Sequence, residues 1–176
     1  MERPIKLIKA NIVDLRVDAI VNAANKTLLG GGGVDGDIHR AAGPKLLEEC
    51  KKLNGCKTGQ AKITKGYKLP AKYIIHTVGP IYSGKASDAR NLALCYKNCI
   101  KLAVENNIHS IAFPSISTGI YGYPKKQACH IALSVVKKCL SDLDNYSLDV
   151  TFCCYSEESY EIYKEEIVRM ATGGKH

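Results

Sequence analysis

The sequence predicts an α/β fold, a sheet covered on both faces by helices, and three observations predict it. Short β-branched runs alternate with longer amphipathic stretches along the chain. The amphipathic stretches have recognisable beginnings or ends. The length, 176 residues, suits one domain that buries a sufficient core without disulfide staples.

Taken in order, strands are expected over 5–9, 19–22, 60–64, 73–78, 110–114 and 149–155, and helices over 34–42, 45–53, 89–106, 125–143 and 157–170. A glycine run separates the second strand from the first helix. Pro124 suits the start of the long helix that follows it, because its missing N–H would be unpaired there anyway. Ser156 is placed to cap the last helix, with Glu157 and Glu158 in the first turn, where carboxylates favour the helix dipole. No repeat, low-complexity tract or Pro/Ser-rich linker divides the chain. One domain over 1–170 is therefore expected, followed by a frayed, flexible tail over 171–176, where the apolar period is lost.

Composition narrows the function classes. An apolar fraction of 45% is ordinary for a soluble protein, and no apolar run approaches the length that spans a bilayer. The start, Met1-Glu2-Arg3-Pro4-Ile5, lacks the pattern of a secretory signal, so a cytoplasmic location is expected and no membrane partner. Eight cysteines form no C-x-x-C pair, and several occupy apolar helix or strand positions, so they read as small buried hydrophobes. No His/Cys/carboxylate cluster has metal-ligand spacing, and neither metal nor cofactor is expected. A formal charge of +8 favours an anionic partner, but the lysines are scattered over exposed helix faces without an aromatic platform, which speaks against dedicated nucleic-acid binding.

Two loops carry the chemistry. The first, Asn22-Ala23-Ala24-Asn25 through Gly30-Gly31-Gly32-Gly33-Val34, brings four consecutive glycines between a strand and a helix. Backbone freed of side chains lets N–H groups approach a ligand, and the helix N-terminus beyond adds its positive dipole end, so a phosphate is the natural guest. Gly31, Gly33 and Gly36 also match the dinucleotide fingerprint, but Asn22 to Leu29 separates them from the strand, and the acids about 20 positions on fall in a helix. A P-loop is excluded because no glycine stretch ends in Gly-Lys-Ser/Thr. The second loop, Pro114-Ser115-Ile116-Ser117-Thr118-Gly119-Ile120-Tyr121-Gly122-Tyr123-Pro124, repeats the device of strand end, glycines and helix start.

These two stretches, with Gly33-Val34-Asp35-Gly36-x-Ile38-His39-x-Ala41-Ala42-Gly43, resemble the two phosphate loops of MacroD-type macrodomains, in the family's order and over nearly the whole chain to Met170. The resemblance implies a three-layer α/β/α macrodomain with a mixed, mostly parallel sheet. It also implies binding of ADP-ribose and hydrolysis of ester-linked ADP-ribose, on aspartate or glutamate side chains of ADP-ribosylated proteins or in O-acetyl-ADP-ribose. A monomer is expected. A non-catalytic ADP-ribose reader is the alternative, since most of such a site serves binding in either case.

By the same resemblance, Gly31, Gly32, Gly33 and Val34 from the first loop, and Ser117, Thr118, Gly119, Ile120, Tyr121 and Gly122 from the second, line the diphosphate and distal ribose. Asn25, with a donor and an acceptor, pairs with the distal ribose hydroxyls. Asp35 positions or activates water, with the substrate's phosphate sharing the basic role, and His39, four residues on, shares its helix face. Asn22 belongs to the loop end as a brace more than a direct contact, and Tyr155, where the family often has Phe, sets a ring against the ribose. Asn11 and Ile12 fall where the family reads Gly-Asp-Ile. Asn11 keeps an acceptor for the adenine amino group but loses the charge, a cost of about 1 kcal/mol. His76, inside an apolar strand, is expected to be structural.

Overall fold

The computed structural model describes residues 5–173. Six strands, β1 (Ile5–Lys9), β2 (Ala19–Ala23), β3 (Ala61–Lys65), β4 (Tyr73–Thr77), β5 (Ser110–Phe113) and β6 (Asp149–Cys154), pair in the order β1-β6-β5-β2-β4-β3. Every neighbouring pair is parallel except β3 with β4, so the sheet is mixed and mostly parallel. The connections supply α1 (Gly33–Ala42), α2 (Pro44–Lys52), α3 (Ala86–Glu105) and α4 (Lys125–Ser141), and α5 (Glu157–Gly173) follows β6.

Side-chain alternation along the strands makes two cores. Ala19, Val21, Ile75, Ile111, Phe113, Val150 and Phe152 face α3, α4 and α5, where the Phe113 and Phe152 rings stack at 5.7 Å. Ile20, Ile74, Ala112 and Cys153 face α1 and α2 through Ile38 and Leu46. Seven of the eight cysteines are buried in these two layers and Cys139 is half-buried. Burial holds their thiols in the neutral form, pushing Cys50 and Cys95 to about 11, which is the behaviour of small hydrophobes.

Element ends differ from expectation where side chains rather than periodicity set them. The third helix starts at Ala86, three residues early, because the Asp88 carboxylate reaches back to accept from Ser83 N, Ser83 Oγ and Gly84 N at 2.8–2.9 Å. The last helix continues past Met170 to Gly173, with Thr172 Oγ1 donating to Val168 O at 2.9 Å; residues 174–176 of the expected tail lie outside the described residues. A 3₁₀ turn over Ile12–Asp14, unforeseen, is capped by Asn11, whose Oδ1 accepts from Val13 N. Ser156 caps α5 as expected, Oγ accepting from Ser159 N at 3.1 Å. Pro124 sits one position before the first turn of α4, its carbonyl accepting from Ala128 N.

The topology opens one crevice. From β2 the chain moves toward β4 and into α1, on one face; from the adjacent β5 it moves toward β6 and into α4, on the other. Because β2 and β5 are parallel, the loops leaving them emerge at the same sheet edge and diverge, which is the geometry of a ligand crevice at a topological switch point.

Candidate active site

The two glycine loops thus leave the carboxyl ends of adjacent strands at one edge of the sheet. The ends of β6 and β1, also parallel, bring Tyr155 and the Asn11-Ile12 segment to the same edge. Tyr155 and Ile120 are exposed, Val34 is half-buried and Ile12 is buried. Asn11 lies at that edge with its side-chain oxygen engaged by its own turn.

In the first loop Asn25 ties the backbone: its Nδ2 donates to Gly30 O at 2.9 Å, and its Oδ1 accepts from Thr27 N and Thr27 Oγ1. Gly31, Gly32 and Gly33 are exposed, and Gly33 takes φ +57°, a conformation in which a Cβ is strained. A Cβ placed on Gly31 would lie 3.2 Å from Asp35 Oδ2 and 3.3 Å from Asn25 Nδ2. Asp35 Oδ2 and Asn25 Nδ2 therefore both lie within contact distance of one point beside the loop. The His39 ring packs against Gly30, with Nε2 3.4 Å from Asp35 Oδ1.

Asp35 is 4% exposed, at the first turn of α1. Burial pushes its carboxyl pKa up from the ordinary value, against the pull of the Asn22 N–H and of His39. Asn22, wholly buried at the end of β2, donates from Nδ2 to Asp35 Oδ1 at 2.9 Å and lies 3.1 Å from His76 Nδ1. It braces Asp35 rather than the loop backbone.

In the second loop Ser117 takes φ +67°, and its hydroxyl donates to Pro80 O at 2.8 Å. Gly122 N closes a turn on Gly119 O, and Tyr123 N returns to Ser117 O. Thr118 Oγ1 lies 2.7 Å from Ser115 Oγ, a bond internal to the loop. Among the described residues, none accepts a hydrogen bond from the N–H groups of Gly31, Gly32, Ile120 or Tyr121. Unpaired main-chain donors on a loop are groups that can receive an anion.

Comparison with known proteins agrees with this geometry. The Macro domain family profile matches residues 21–132, a span that contains both loops. The chain belongs to the Macro domain family. This macrodomain is 58% identical over 164 residues to a Macro domain-containing protein of Chlorobaculum tepidum, covering 93% of the chain and 95% of that protein. It is 57% identical over 166 residues to the human ADP-ribose glycohydrolase MACROD2, covering 93% of the chain but 39% of that longer protein. A mutant macrodomain of Oceanobacillus iheyensis, solved with ADPR, superposes with a TM-score of 0.91 at 40% identity, covering 97% of this chain and 95% of that one.

The macrodomain also holds residues near the crevice that sequence reasoning passed over. The segment after β4 underpins the second loop: Tyr82 N donates to Tyr121 O at 2.9 Å, Pro80 O accepts from Ser117, and a Cβ on Gly79 would press into Ser117 Oγ and lie 2.7 Å from Ile116 Cγ2. The one available signal was the Gly79-Pro80 pair directly after a strand, which marks a turn but not what rests on it. His76 is buried as expected, yet it belongs to the hydrogen-bonded set behind Asp35.

Proposed function

We infer that this macrodomain binds ADP-ribose in the crevice between the β2 and β5 loops and hydrolyses ADP-ribose linked by an ester to aspartate or glutamate side chains of proteins, or to acetate in O-acetyl-ADP-ribose. The observation that carries the reading is the meeting of Asn25 Nδ2 and Asp35 Oδ2 at one point beside Gly31. With one N–H spent on Gly30 O, Asn25 keeps a second N–H for a ribose hydroxyl, and beside it stands a carboxylate that can take a proton from water, as hydrolysis at the distal ribose requires. The names of relatives such as the human ADP-ribose glycohydrolase, and the ADPR held by the O. iheyensis macrodomain, support the same substrate class.

In this reading the diphosphate lies against the N–H groups of Gly31, Gly32, Gly33, Ile120 and Tyr121, with Val34 and Ile120 flanking it, while Thr118, Gly119 and Gly122 shape the second loop. Ser117 contributes through its main chain, its hydroxyl being spent on Pro80. Asp35 positions water and accepts its proton through Oδ2, the oxygen not held by Asn22. His39 orients the carboxylate from the next turn. Asn11, Ile12 and Tyr155 border the adenine and ribose ends.

The protein acts as a monomer without nucleic acid as a dedicated partner, in the cytoplasm. Eight unpaired cysteines suit a reducing compartment. Among the described residues no helix is long and apolar enough to cross a membrane.

The test is release of ADP-ribose from an aspartate/glutamate-modified protein, run with calorimetry on free ADP-ribose. The expected result is release by wild type and a loss of about 100-fold or more in Asp35→Ala. Tight binding without release by wild type would make the domain a reader. Equal release by Asp35→Ala would remove Asp35 from the chemistry.

A further inference from the structure

Behind Asp35, a row of polar side chains crosses three strands where the sheet would accept apolar ones. Asn22 on β2, His76 on β4 and Thr64 on β3 are 0%, 0% and 2% exposed, on the face occupied elsewhere by Ile20 and Ile74. Burying such groups is costly unless each finds a partner. Here they find one another: Asn22 Nδ2 is 2.9 Å from Asp35 Oδ1 and 3.1 Å from His76 Nδ1, and His76 Nε2 is 2.9 Å from Thr64 Oγ1.

The direction of these bonds follows from counting hydrogens. Asn22 Nδ2 has two N–H groups and two neighbours. One N–H goes to the Asp35 carboxylate. The other needs an acceptor, so His76 Nδ1 is bare and the ring proton sits on Nε2, donating to Thr64 Oγ1. Thr64 in turn donates its hydroxyl hydrogen to Lys65 O. Asn22 Oδ1 is buried with no partner among the described residues, so His76 and Asp35 alone decide which way the amide faces.

We propose that His76 is a positioning residue for Asp35, acting through Asn22: by accepting the second N–H, it locks the amide so that nitrogen, not oxygen, faces the carboxylate. Were the ring proton on Nδ1, the Asn22 amide would turn its oxygen toward both neighbours. Two oxygens would then face each other across 2.9 Å, an arrangement satisfied only by protonated Asp35, which is useless as a base.

The imidazole is suited to this task because it stays neutral. Burial first, and His39 second, push its pKa down to about 3. The charges around the pair are otherwise committed. Lys62, opposite His76 in the β3/β4 register, donates to Leu53 O and Gly55 O. His39 adjoins Asp35 from α1, and Cys50 adjoins it from α2 with its thiol held neutral.

The inference rests on Asp35 serving as the proton acceptor, but its test does not rest on turnover alone. Nitrogen NMR of the wild-type ring should show Nδ1 bare and Nε2 protonated across the neutral range; a proton on Nδ1 overturns the proposal without any variant. His76→Phe removes the acceptor while keeping a ring, and His76→Asn returns an amide oxygen near the position of Nδ1. In His76→Phe the Asp35 carboxyl, followed by carbon NMR, should bind its proton about tenfold more tightly. The acid limb of kcat should move with it, with ADP-ribose affinity unchanged within about twofold. His76→Asn should restore most of both. An unmoved Asp35 titration in a folded, ADP-ribose-binding His76→Phe protein overturns the inference, as does a His76→Asn protein no better than His76→Phe. Absence of turnover by wild type would count against the hydrolase reading, and the Asp35 titration would still decide the role of His76.

Discussion

Asp35 shows a carboxylate kept where water is scarce. Burial raises its pKa, and the Asn22 donor and His39 recover part of the cost. A carboxyl whose folded pKa lies above its unfolded one stabilises the fold fully below the unfolded value, and that contribution is lost as pH rises through the folded value. Wild type therefore carries a penalty at neutral pH that Asp35→Asn lacks, while the variant's amide oxygen can still accept from Asn22. Asp35→Asn should melt roughly 2–4 °C higher than wild type near neutral pH, with the difference vanishing by about pH 4 and hydrolysis falling at least about 100-fold. A thermal melt series against pH checks this, and a lower melting temperature at neutral pH would show that the buried charge is better paired than its surroundings indicate. At this scale the sequence was legible for the proximity of Asp35 and His39, because four-residue helical spacing is a local signal. It was silent on the partnership of Asn22 with His76, since residues 54 apart in sequence meet only when β2 pairs with β4.

The six strands and five helices were legible because the inner strands, buried on both faces, read as short β-branched runs, while each helix buries one face and leaves an amphipathic period. Their ends were less so. The α3 start belongs to Asp88 reaching back to Ser83 and Gly84, and the capping of the 3₁₀ turn belongs to Asn11; neither leaves a periodic trace. The support beneath the second loop was equally hidden, and it carries a prediction. Ser117 holds a left-handed backbone conformation against Pro80, with Gly79 leaving room for its hydroxyl. Gly79→Ala would drive a methyl into Ser117 Oγ and Ile116, so the loop must shift, at a cost of about 1–3 kcal/mol in stability. ADP-ribose affinity should fall about tenfold or more, although residue 79 lies in neither glycine loop. Calorimetry on the folded variant reads this directly, and unchanged affinity would mean that the loop's ligand-facing N–H groups are set by Gly119–Gly122 alone.

For the whole molecule, the formal charge of +8 and the proposed ligand's diphosphate invite the idea that lysines hold the ligand. Two lysines at this edge of the sheet are engaged elsewhere. Lys9 pairs with Glu157 at 2.7 Å and Lys125 pairs with Glu158, both fastening the start of α5. The proposed site relies instead on main-chain N–H groups of two loops and the N-terminus of α1, fixed dipoles whose hold on a phosphate at contact distance is screened by salt far less than a lysine's reach through solvent. ADP-ribose affinity should therefore weaken by no more than about threefold between about 50 mM and about 500 mM salt. Isothermal titration across that range decides it. A fall of about 30-fold or more would assign the diphosphate to surface lysines, and with it the basic character of the chain, so that the two loops at the β2/β5 edge would no longer suffice to explain binding.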